Sequence, residues 1–477
     1  MQCLTVLLLF CHIVPIFSWR VCDVSSPEFG AVGDGSVKDT DAIRKAISSC
    51  DETVLPAGRS FLTGPLNLSS HQLLRVEGTL LASTDKADYP LVAPMIGDGW
   101  GNDGNCFPPD ASPHKIVVGS LSYAPVIGAY HATNVTLTGG GVINGQGQAW
   151  WYNCTRCHYP PNNDSAYCEI ASRPKLVETQ YVDGLRVHGR SVSMPLTLEN
   201  SPFWTVTPSY SQNIHIRDLR ILAPIDRIGN TDGVNLYSCR NAVVENVYIN
   251  NSDDGVCVKS GLNGFGLNLA VPTENVLVRN ITNDAHSGRG GFAIGSDMSG
   301  GVRNVTFRDS VLGSGPESRS IHIKPSIGRG GYITDILFVN IVMPKGDIVF
   351  SMGTDGAPLM PDNNYVPLIS NVQFVNISGP GGCILDGCQH ANQSQCFDLR
   401  FSGSRPAQCS PPVPSKPFGP QSFGCKRIAH GMFGTVILPW GVCVPLHAPV
   451  NLRPDYPNWG PTSGTFSSLA ACANECV

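Results

Sequence analysis

The chain has 477 residues, only 14% of which are charged, and a formal net charge of −5 at pH 7. This balance excludes general binding to nucleic acid or to anionic membrane surfaces, so any attraction for an anionic ligand must be local. The length exceeds that of an ordinary compact domain, yet no linker interrupts the chain before residue 400. A single repetitive domain accommodates this better than two separate cores.

The first residues form a short apolar run that is typical of a secretory signal. The run extends from Val6 to Phe17, which is too short to span a bilayer, and no later segment is long enough to act as a membrane anchor. We therefore expect a signal peptide over 1–18 and a protein secreted to the extracellular space or cell wall.

Cysteine and asparagine usage fits an exported protein. Without Cys3 and Cys11 of the signal, the eighteen cysteines fall to sixteen, an even number that indicates disulfides whose pairing the sequence leaves open. Nine Asn-X-Ser/Thr acceptors would suit a glycoprotein, although many of these asparagines can equally be turn residues. They are Asn67, Asn134, Asn153, Asn163, Asn250, Asn280, Asn304, Asn376 and Asn392.

A helix is predicted soon after the signal. Asp39 or Thr40 can cap it, and an apolar stripe follows at helical spacing, formed by Ala42, Ile43, Ala46 and Ile47. A short helix here would close the open end of a repetitive fold, where an uncovered sheet exposes its pairing groups.

Two short phrases then recur along the chain. The first is a turn-former followed by a four-residue alternating strand, starting at Asn134, Asn213, Asn246, Asn275, Asn304, Asp335 and Asn371. The second starts at Gly233, Gly255, Gly291 and Ser320. Two short strands per repeat with no room for helices predict a parallel β-helix. An antiparallel sandwich or propeller is the alternative, although two-residue hairpin turns are scarce.

The composition changes near residue 400. The stretch from Ser410 to Pro417 is rich in proline, and the remaining residues carry Cys409, Cys425, Cys443, Cys472 and Cys476. We therefore divide the mature chain into a β-helix over 19–400 and a Pro/Cys-rich extension over 401–477.

Acidic residues precede two successive copies of the second phrase. Asp232 and Asp254 are 22 residues apart, and each is followed by Gly-Val. If one coil stacks on the next, equivalent positions lie about 4.8 Å apart, so these aspartates and the adjacent Asp253 must crowd on one surface. Crowded carboxylates cannot all ionise, and the shared proton that results is what acid catalysis requires.

The strings in and around this surface resemble the polygalacturonases of glycoside hydrolase family 28. They occur in the order expected of that family over roughly residues 27 to 380, and such an ordered set is a specific signal. The strings are Phe29–Gly35, Arg173-Pro174, Asn200–Trp204, N-T-D-G at Asn230–Gly233, D-D-G at Asp253–Gly255, Gly288–Gly301 and R-S-I-H-I-K at Arg319–Lys324.

The resemblance implies a right-handed parallel β-helix that hydrolyses α-1,4 bonds between galacturonic acid units of pectin with inversion. By position, Asp253 would be the general acid, and Asp232 and Asp254 would hold the attacking water with Asn230 beside them. Inverting enzymes hold their carboxylates about 6.5–9.5 Å apart, wider than one coil, so inversion is taken from the resemblance alone.

The basic residues expected to bind the substrate depart from the family pattern. Arg289 replaces the histidine of the usual G-H-G, and His322 replaces the arginine of the usual R-I-K, which keeps Lys324. An arginine does not exchange protons in water, but Arg289 and Lys324 can both hold a uronate. These changes leave open another pectic substrate, such as rhamnogalacturonan or xylogalacturonan, or binding without cleavage.

Met298–Gly301 resembles exo-acting members more than endo-acting ones. We expect a monomer that acts on pectic polysaccharide without a cofactor or metal, since no Cys/His spacing suits zinc. A calcium-dependent pectate lyase with Arg289 as base is the alternative chemistry on the same architecture.

Overall fold

The structure is a computed structural model that describes residues 19–92, 121–151, 171–224, 230–262, 266–267, 269–284, 291–313, 319–326, 329–351, 367–386 and 399–404, together with four short strands beyond. The predicted signal peptide and most of the predicted extension lie outside these residues. Within them, no helix is long and apolar enough to cross a membrane.

The larger of two parallel sheets contains seventeen strands. Its members are β1 Val21–Asp23, β2 Asp34–Lys38, β3 Glu52–Leu55, β4 Ser60–Thr63, β6 Leu73–Val76, β7 Thr79–Ala82, β11 Thr133–Gly139, β12 Val142–Asn144, β15 Asp183–Gly189, β16 Leu196–Glu199, β18 Gln212–Ala223, β20 Arg240–Asn251, β22 Thr273–Asn283, β24 Val302–Leu312, β26 Tyr332–Val342, β28 Leu368–Ser378 and β30 Leu399–Ser402.

The second parallel sheet contains ten short strands, one from each successive coil. They are β5 Leu66–Leu68, β10 Ile127–Tyr130, β14 Val177–Gln180, β17 Val206–Ser209, β19 Val234–Tyr237, β21 Val256–Lys259, β23 Phe292–Gly295, β25 Arg319–Lys324, β27 Asp347–Ser351 and β29 Cys383–Asp386. The fold is therefore the right-handed parallel β-helix that the sequence predicts.

A few elements lie outside these two sheets. The strands β8 Leu91–Val92, β9 Leu121–Tyr123 and β13 Ala171–Ser172 form a small mixed sheet beside a short 3₁₀ helix, Lys86–Asp88. Two antiparallel pairs, in the region predicted as an extension, join β31 Phe423–Gly424 to β34 Thr465–Phe466 and β32 Thr435–Ile437 to β33 Cys443–Pro445.

The strands that carry the first phrase are longer than predicted. From β18 to β28 they have 11 or 12 residues instead of four, because an asparagine or aspartate with positive φ bends the strand without ending it. In β20 these bends are at Asn241 and Asn246. Asn246 therefore stacks on Asn280 and not on Asn275. The first phrase of the sequence had grouped Asn246 with Asn275, although the two residues occupy different bends of the coil.

The bends are tied together by ladders of side-chain hydrogen bonds between coils. Asn275 Nδ2 donates to Asn241 Oδ1 at 3.2 Å, and Asn280 Nδ2 donates to Asn246 Oδ1 at 2.7 Å. The predicted glycosylation acceptors Asn280, Asn304 and Asn376 all use Nδ2 in this way. These three asparagines are thus turn residues of the coil.

The interior of the coil is lined by stacked apolar side chains. Phe307, Phe338, Phe374 and Phe401 stack on one another with ring centroids 4.7 to 5.0 Å apart, and the ring centroid of Phe292 lies 4.6 Å from that of Phe307. Parallel pairing in register places Phe307, Phe338, Phe374 and Phe401 above one another in successive coils. Phe292 instead contacts Phe307 from the second sheet.

The helix α1, Thr40–Ser49, lies near the amino-terminal end of the coil and buries Ile43, Ala46 and Ile47 of the predicted stripe. Asp39 is the N-cap residue, but its carboxylate accepts from the amides of Val32 and Gly33 and not from the helix. Asp39 therefore fixes the glycine-rich lead-in instead of capping the helix.

Two kinds of cysteine are present among the described residues. Cys22 and Cys50 form a disulfide that ties β1 to the end of α1, and Cys383 is also disulfide-bonded. Cys239 and Cys257 are buried free thiols.

We expect Phe338→Ala to lower the free energy of unfolding by about 3–5 kcal/mol, because it opens a cavity in the middle of the aromatic stack. Urea denaturation followed by tryptophan fluorescence would measure the change. Val339→Ala, on the outward phase of the same strand, is the matched control and should cost far less. Equal losses in both variants would contradict the assigned packing.

Candidate active site

The three predicted aspartates lie together, on the turns that lead into β19 and β21. Parallel pairing continues into these turns, since the amide of Gly233 donates to the carbonyl of Asp254 at 3.0 Å. Asp232 and Asp254 are consequently equivalent positions of neighbouring coils, as their spacing predicts. As whole residues, Asp232, Asp253 and Asp254 are 2%, 6% and 5% exposed, so the site is largely shielded from water.

Buried polar residues lock these turns in place. Asn251 Nδ2 donates to the carbonyls of Thr231 and Asp254, at 3.0 and 2.9 Å. The hydroxyl of Thr231 accepts from the amide of Ser252 at 3.1 Å. The backbone that carries the aspartates is therefore cross-linked between coils, which fixes the positions of the carboxylates before any substrate arrives.

Asp253 is oriented by the backbone. Its Oδ2 accepts from the amide of Asn230 at 2.7 Å, and its Oδ1 accepts from the amide of Asp254 at 2.9 Å. Asn230 has φ of 67°, a left-handed conformation that asparagine tolerates. This conformation directs the backbone N–H of Asn230 at the carboxylate of Asp253. Asn230 is thus beside the aspartates, as predicted, and contacts Asp253 through its main chain.

Two lysines bring positive charge to the aspartates. Lys324 Nζ lies 2.6 Å from Asp254 Oδ2, in an ion pair whose side chains are 14% and 7% exposed. Lys259, at the end of β21, lies with its Nζ 3.7 Å from Asp297 Oδ2 and donates to the carbonyl of Gly295 at 3.4 Å. Gly295 on β23 pairs with Lys324 on β25, and the register of β21 with β23 places Lys259 on the other side of Gly295. The two lysines therefore lie in one row across the sheet.

This arrangement drives the pKa values of two aspartates apart. Burial, followed by the negative charge of Asp253, raises the pKa of Asp232 to about 8. Burial opposes ionisation of Asp254 as well, but the ammonium groups of Lys324 and Lys259 outweigh it and hold its pKa well below the usual range. At neutral pH Asp232 keeps a proton while Asp254 is a carboxylate, which is the division of states that acid–base catalysis uses.

The remaining predicted substrate-binding residues are placed unequally. His322 is buried on β25, and its Nε2 lies 3.1 Å from Ser351 Oγ on the next coil. Lys324, expected to bind a uronate, makes its observed ion pair with Asp254. Arg289 lies outside the described residues.

Among the described residues, one group of possible metal donors comes together: the carboxylates of Asp232 and Asp254 and Sγ of Cys257, all within 4.8 Å of one another. Burial raises the pKa of the Cys257 thiol, and a neutral thiol is a weak ligand. The charges of Lys259 and Lys324 also act on both carboxylates. This donor set therefore suits a proton-sharing pair better than a cation.

Sequence reasoning missed Lys259, Asp297 and the contact between Trp204 and Lys259. Lys259 occupies the outward phase of β21, as Lys324 does on β25, and that shared phase in the second phrase was the available signal. Trp204 is buried, and the centroid of its ring lies 5.0 Å from Lys259 Nζ. Spacing alone does not reveal that contact, because Trp204 lies on a turn between strands.

We expect the free energy of unfolding to fall as pH rises from about 5 to about 7, because folded Asp232 keeps a proton that the unfolded chain releases near its ordinary pKa of about 3.9. A raised folded pKa stabilises below the unfolded value, and this contribution is lost as pH rises through about 8. Asp232→Asn should therefore make the slope less negative by up to about 1.36 kcal/mol per pH unit.

Urea denaturation at several pH values would measure this slope. Asp309→Asn is the control, since Asp309 is an exposed turn aspartate whose pKa is lowered, first by the hydrogen bond from Asn340 and next by the hydrogen bond from Arg308. It is ionised throughout this pH range. Identical slopes for the wild type and Asp232→Asn would show that Asp232 is ionised in the folded protein.

The chain was compared with known proteins. The family model for glycosyl hydrolases family 28 matches residues 115–396. The probable polygalacturonase of Vitis vinifera is 35% identical over 361 residues, covering 73% of this chain and 66% of the relative. The chain thus spans about two thirds of that relative's length.

Solved structures agree with this match. The exopolygalacturonase from Thermotoga maritima is 26% identical, with a TM-score of 0.61 over 76% of this chain and 81% of that one. The polygalacturonase from Erwinia carotovora ssp. carotovora, 22% identical, shares the fold with a TM-score of 0.56 over 80% of this chain and 94% of that one. The sequence resemblance is confirmed: the chain belongs to family 28 of the glycosyl hydrolases.

Proposed function

We propose that this protein is a secreted glycosidase that hydrolyses α-1,4-galacturonosyl bonds of pectin. The observation that carries the proposal is the pair of equivalent aspartates whose protonation states differ, Asp232 and Asp254, next to Asp253 and two lysines. A partly protonated carboxylate group is suited to cleaving an acetal, which needs a proton for the leaving oxygen and a base for the attacking water. Membership of the family supports the same chemistry.

In the proposed reaction, the proton that Asp232 retains at rest is shared with Asp253. Asp253 donates this proton to the glycosidic oxygen while the bond between that oxygen and the anomeric carbon breaks. A water molecule attacks the anomeric carbon from the opposite side and loses its proton to Asp254, with Asp232 holding the water. The proton gained by Asp254 returns to Asp253 through the shared group, which restores the starting state. Attack from the opposite side inverts the anomeric centre.

Lys324 has two roles in this proposal. Lys324 keeps Asp254 ionised at 2.6 Å, so the base is ready when water binds. Its ammonium, with Arg289 and His322, would also neutralise a substrate uronate at the cleavage site. Pectic polysaccharide is the partner that this mixture of acidic and basic groups suits.

We propose that cleavage proceeds from a chain end. The Met298–Gly301 string follows β23 and packs against the residues after Lys259, since the amide of Ser299 donates to the carbonyl of Gly261 at 2.9 Å. The similarity to the exopolygalacturonase from Thermotoga maritima supports the same mode. Sizing the products of galacturonan oligomers of defined length would test it, because end-wise cleavage yields short products from the first turnovers.

We expect Asp253→Asn to fold normally and to lower kcat on polygalacturonate by about 10²–10⁴-fold, the usual contribution of a general acid. The variant is nearly isosteric, and its amide oxygen can still accept one of the two backbone N–H groups. Release of reducing ends measures the loss. Retention of most of the turnover by Asp253→Asn would overturn the acid assignment.

A nitrophenyl galacturonide separates the roles of the aspartates, because nitrophenolate leaves without being protonated. On this substrate Asp253→Asn should recover most of the wild-type rate, while Asp254→Asn should stay slow on both substrates. Asp309→Asn is the control and should match the wild type on both. If Asp232→Asn recovers on the activated substrate and Asp253→Asn does not, then Asp232 is the acid.

We further expect hydrolysis to persist in the presence of a chelator, because the cationic partner of Asp254 is a lysine. Proton NMR of early products should show the inverted anomer and no unsaturated uronate. Loss of activity on chelation, together with an unsaturated product, would instead establish a calcium-dependent lyase.

A further inference from the structure

Trp204 lies at the end of the turn between β16 and β17, one coil before Asp232. The amide of the next residue, Thr205, donates to the carbonyl of Asp232 at 2.9 Å, so the coil of Trp204 is paired directly to the coil of the acid site. The indole is 3% exposed, and its Nε1 has no hydrogen-bond partner within the described part of the chain. The face of the indole ring, and not its nitrogen, is therefore the part of Trp204 that interacts with polar groups.

Two buried lysines lie over that ring. Lys259 Nζ is 5.0 Å from the ring centroid and Lys175 Nζ is 5.5 Å from it. A cation over an indole face is attracted by the ring quadrupole, most strongly where water is excluded, and tryptophan is the best of the aromatic residues for this contact. Two buried ammonium groups on one ring would repel each other unless each were balanced by a carboxylate.

The two lysines are balanced differently. Lys175 Nζ makes a close pair with Glu178 at 2.7 Å, whereas Lys259 Nζ lies 3.4 Å from the carbonyl of Gly295 and 3.7 Å from the carboxylate of Asp297. The distance to Gly295 is at the outer limit of hydrogen-bond geometry, and the distance to Asp297 is beyond it. The polar partners therefore hold the Lys259 ammonium less tightly than Glu178 holds that of Lys175, and the ring of Trp204 is a further contact that restricts it.

We propose that Trp204 is a positioning residue that holds the Lys259 ammonium beside Asp232 and Asp254, and so sets the electrostatic balance of the acid site. The inference rests on the proposed function and goes beyond it, because Trp204 itself touches neither the reacting atoms nor the aspartate side chains in this account. It acts through Lys259.

The groups around Lys259 come from several elements. Asp232 and Asp254 face it from the turns before β19 and β21, Asp297 from the turn after β23, Cys257 from its own strand, Lys324 from β25 and Lys175 from across the indole ring. The Lys259 charge favours ionisation of both site aspartates. Moving this charge away must raise the pKa values of both.

The test replaces Trp204 by leucine, which removes the ring, and by phenylalanine, which keeps a smaller one. We expect kcat of Trp204→Leu to fall off on the acidic side at a pH at least about half a unit higher than kcat of the wild type. This acid limb of the pH profile moves because the site aspartates bind a proton about threefold more tightly. kcat should fall by about tenfold with little change in KM, and Trp204→Phe should recover part of both effects.

Trp150→Leu is the matched control. Trp150 is 1% exposed, lies under Lys86 Nζ at 5.3 Å and likewise has an indole nitrogen without a partner among the described residues, but it belongs to another part of the coil. It should lower stability as Trp204→Leu does and leave the acid limb unmoved. Lys259→Met should reproduce the shift of Trp204→Leu, and Lys259→Arg should largely restore it.

An unmoved acid limb in folded Trp204→Leu or Lys259→Met would overturn the proposal. If the wild type cleaves no pectic substrate, the proposed function fails, but the inference is still tested by infrared difference spectra of the protonated carboxyl band between acidic and alkaline pH. Trp204→Leu must then shift this carboxyl titration upward, and Trp150→Leu must not. Should Trp204→Leu fail to fold, Trp204→Phe and Lys259→Met decide the same question.

Discussion

Parallel pairing of one coil on the next is the constraint on which the rest of this structure depends. Each backbone amide that pairs with the neighbouring coil also brings side chains at equivalent positions to within about 4.8 Å of each other. Inside the coil this produces the phenylalanine stack from Phe307 to Phe401, and at the bends it produces the asparagine ladders. On the outer face it places Asp232 directly against Asp254.

Like side chains stack favourably when they are apolar or amide groups, but not when they are carboxylates. The protein accommodates Asp232 and Asp254 by letting one keep its proton and by placing Lys324 against the other. The repulsion that the fold imposes is thereby converted into two different protonation states. A scaffold that stacks equivalent residues can in this way build an asymmetric acid–base site.

Most of the architecture could be predicted from the sequence because the two short phrases recur once per coil. The Gly-Val phrases after Asp232 and Asp254 gave the register of the short strands correctly, and the stripe around Ile43 gave the capping helix. The long strands were predicted too short, since turn-forming asparagines usually end a strand. Here Asn241 and Asn246 merely bend one, because their equivalents in the neighbouring coils bend with them.

The candidate site was predictable where it depended on the repeat and not where it depended on contacts between different turns. Spacing brought the three aspartates together. It could not show that Lys324 would pair with Asp254, 70 positions away, or that Trp204 would lie under Lys259. Contacts between side chains of different turns depend on three-dimensional packing, which the spacing of residues along the chain does not reveal.

The bends of the long strands come in pairs at a constant spacing of five residues, as in Asn275 with Asn280 and in Asp335 with Asn340. The connections that flank the short strands vary instead: four residues separate β20 from β21, and eight separate β22 from β23. The connections that lead into the short strands, where the aspartates lie, thus differ in length from coil to coil. Residues can be inserted into these connections while the paired strands on either side keep their register, so the surroundings of the aspartates can change without moving the backbone that positions them.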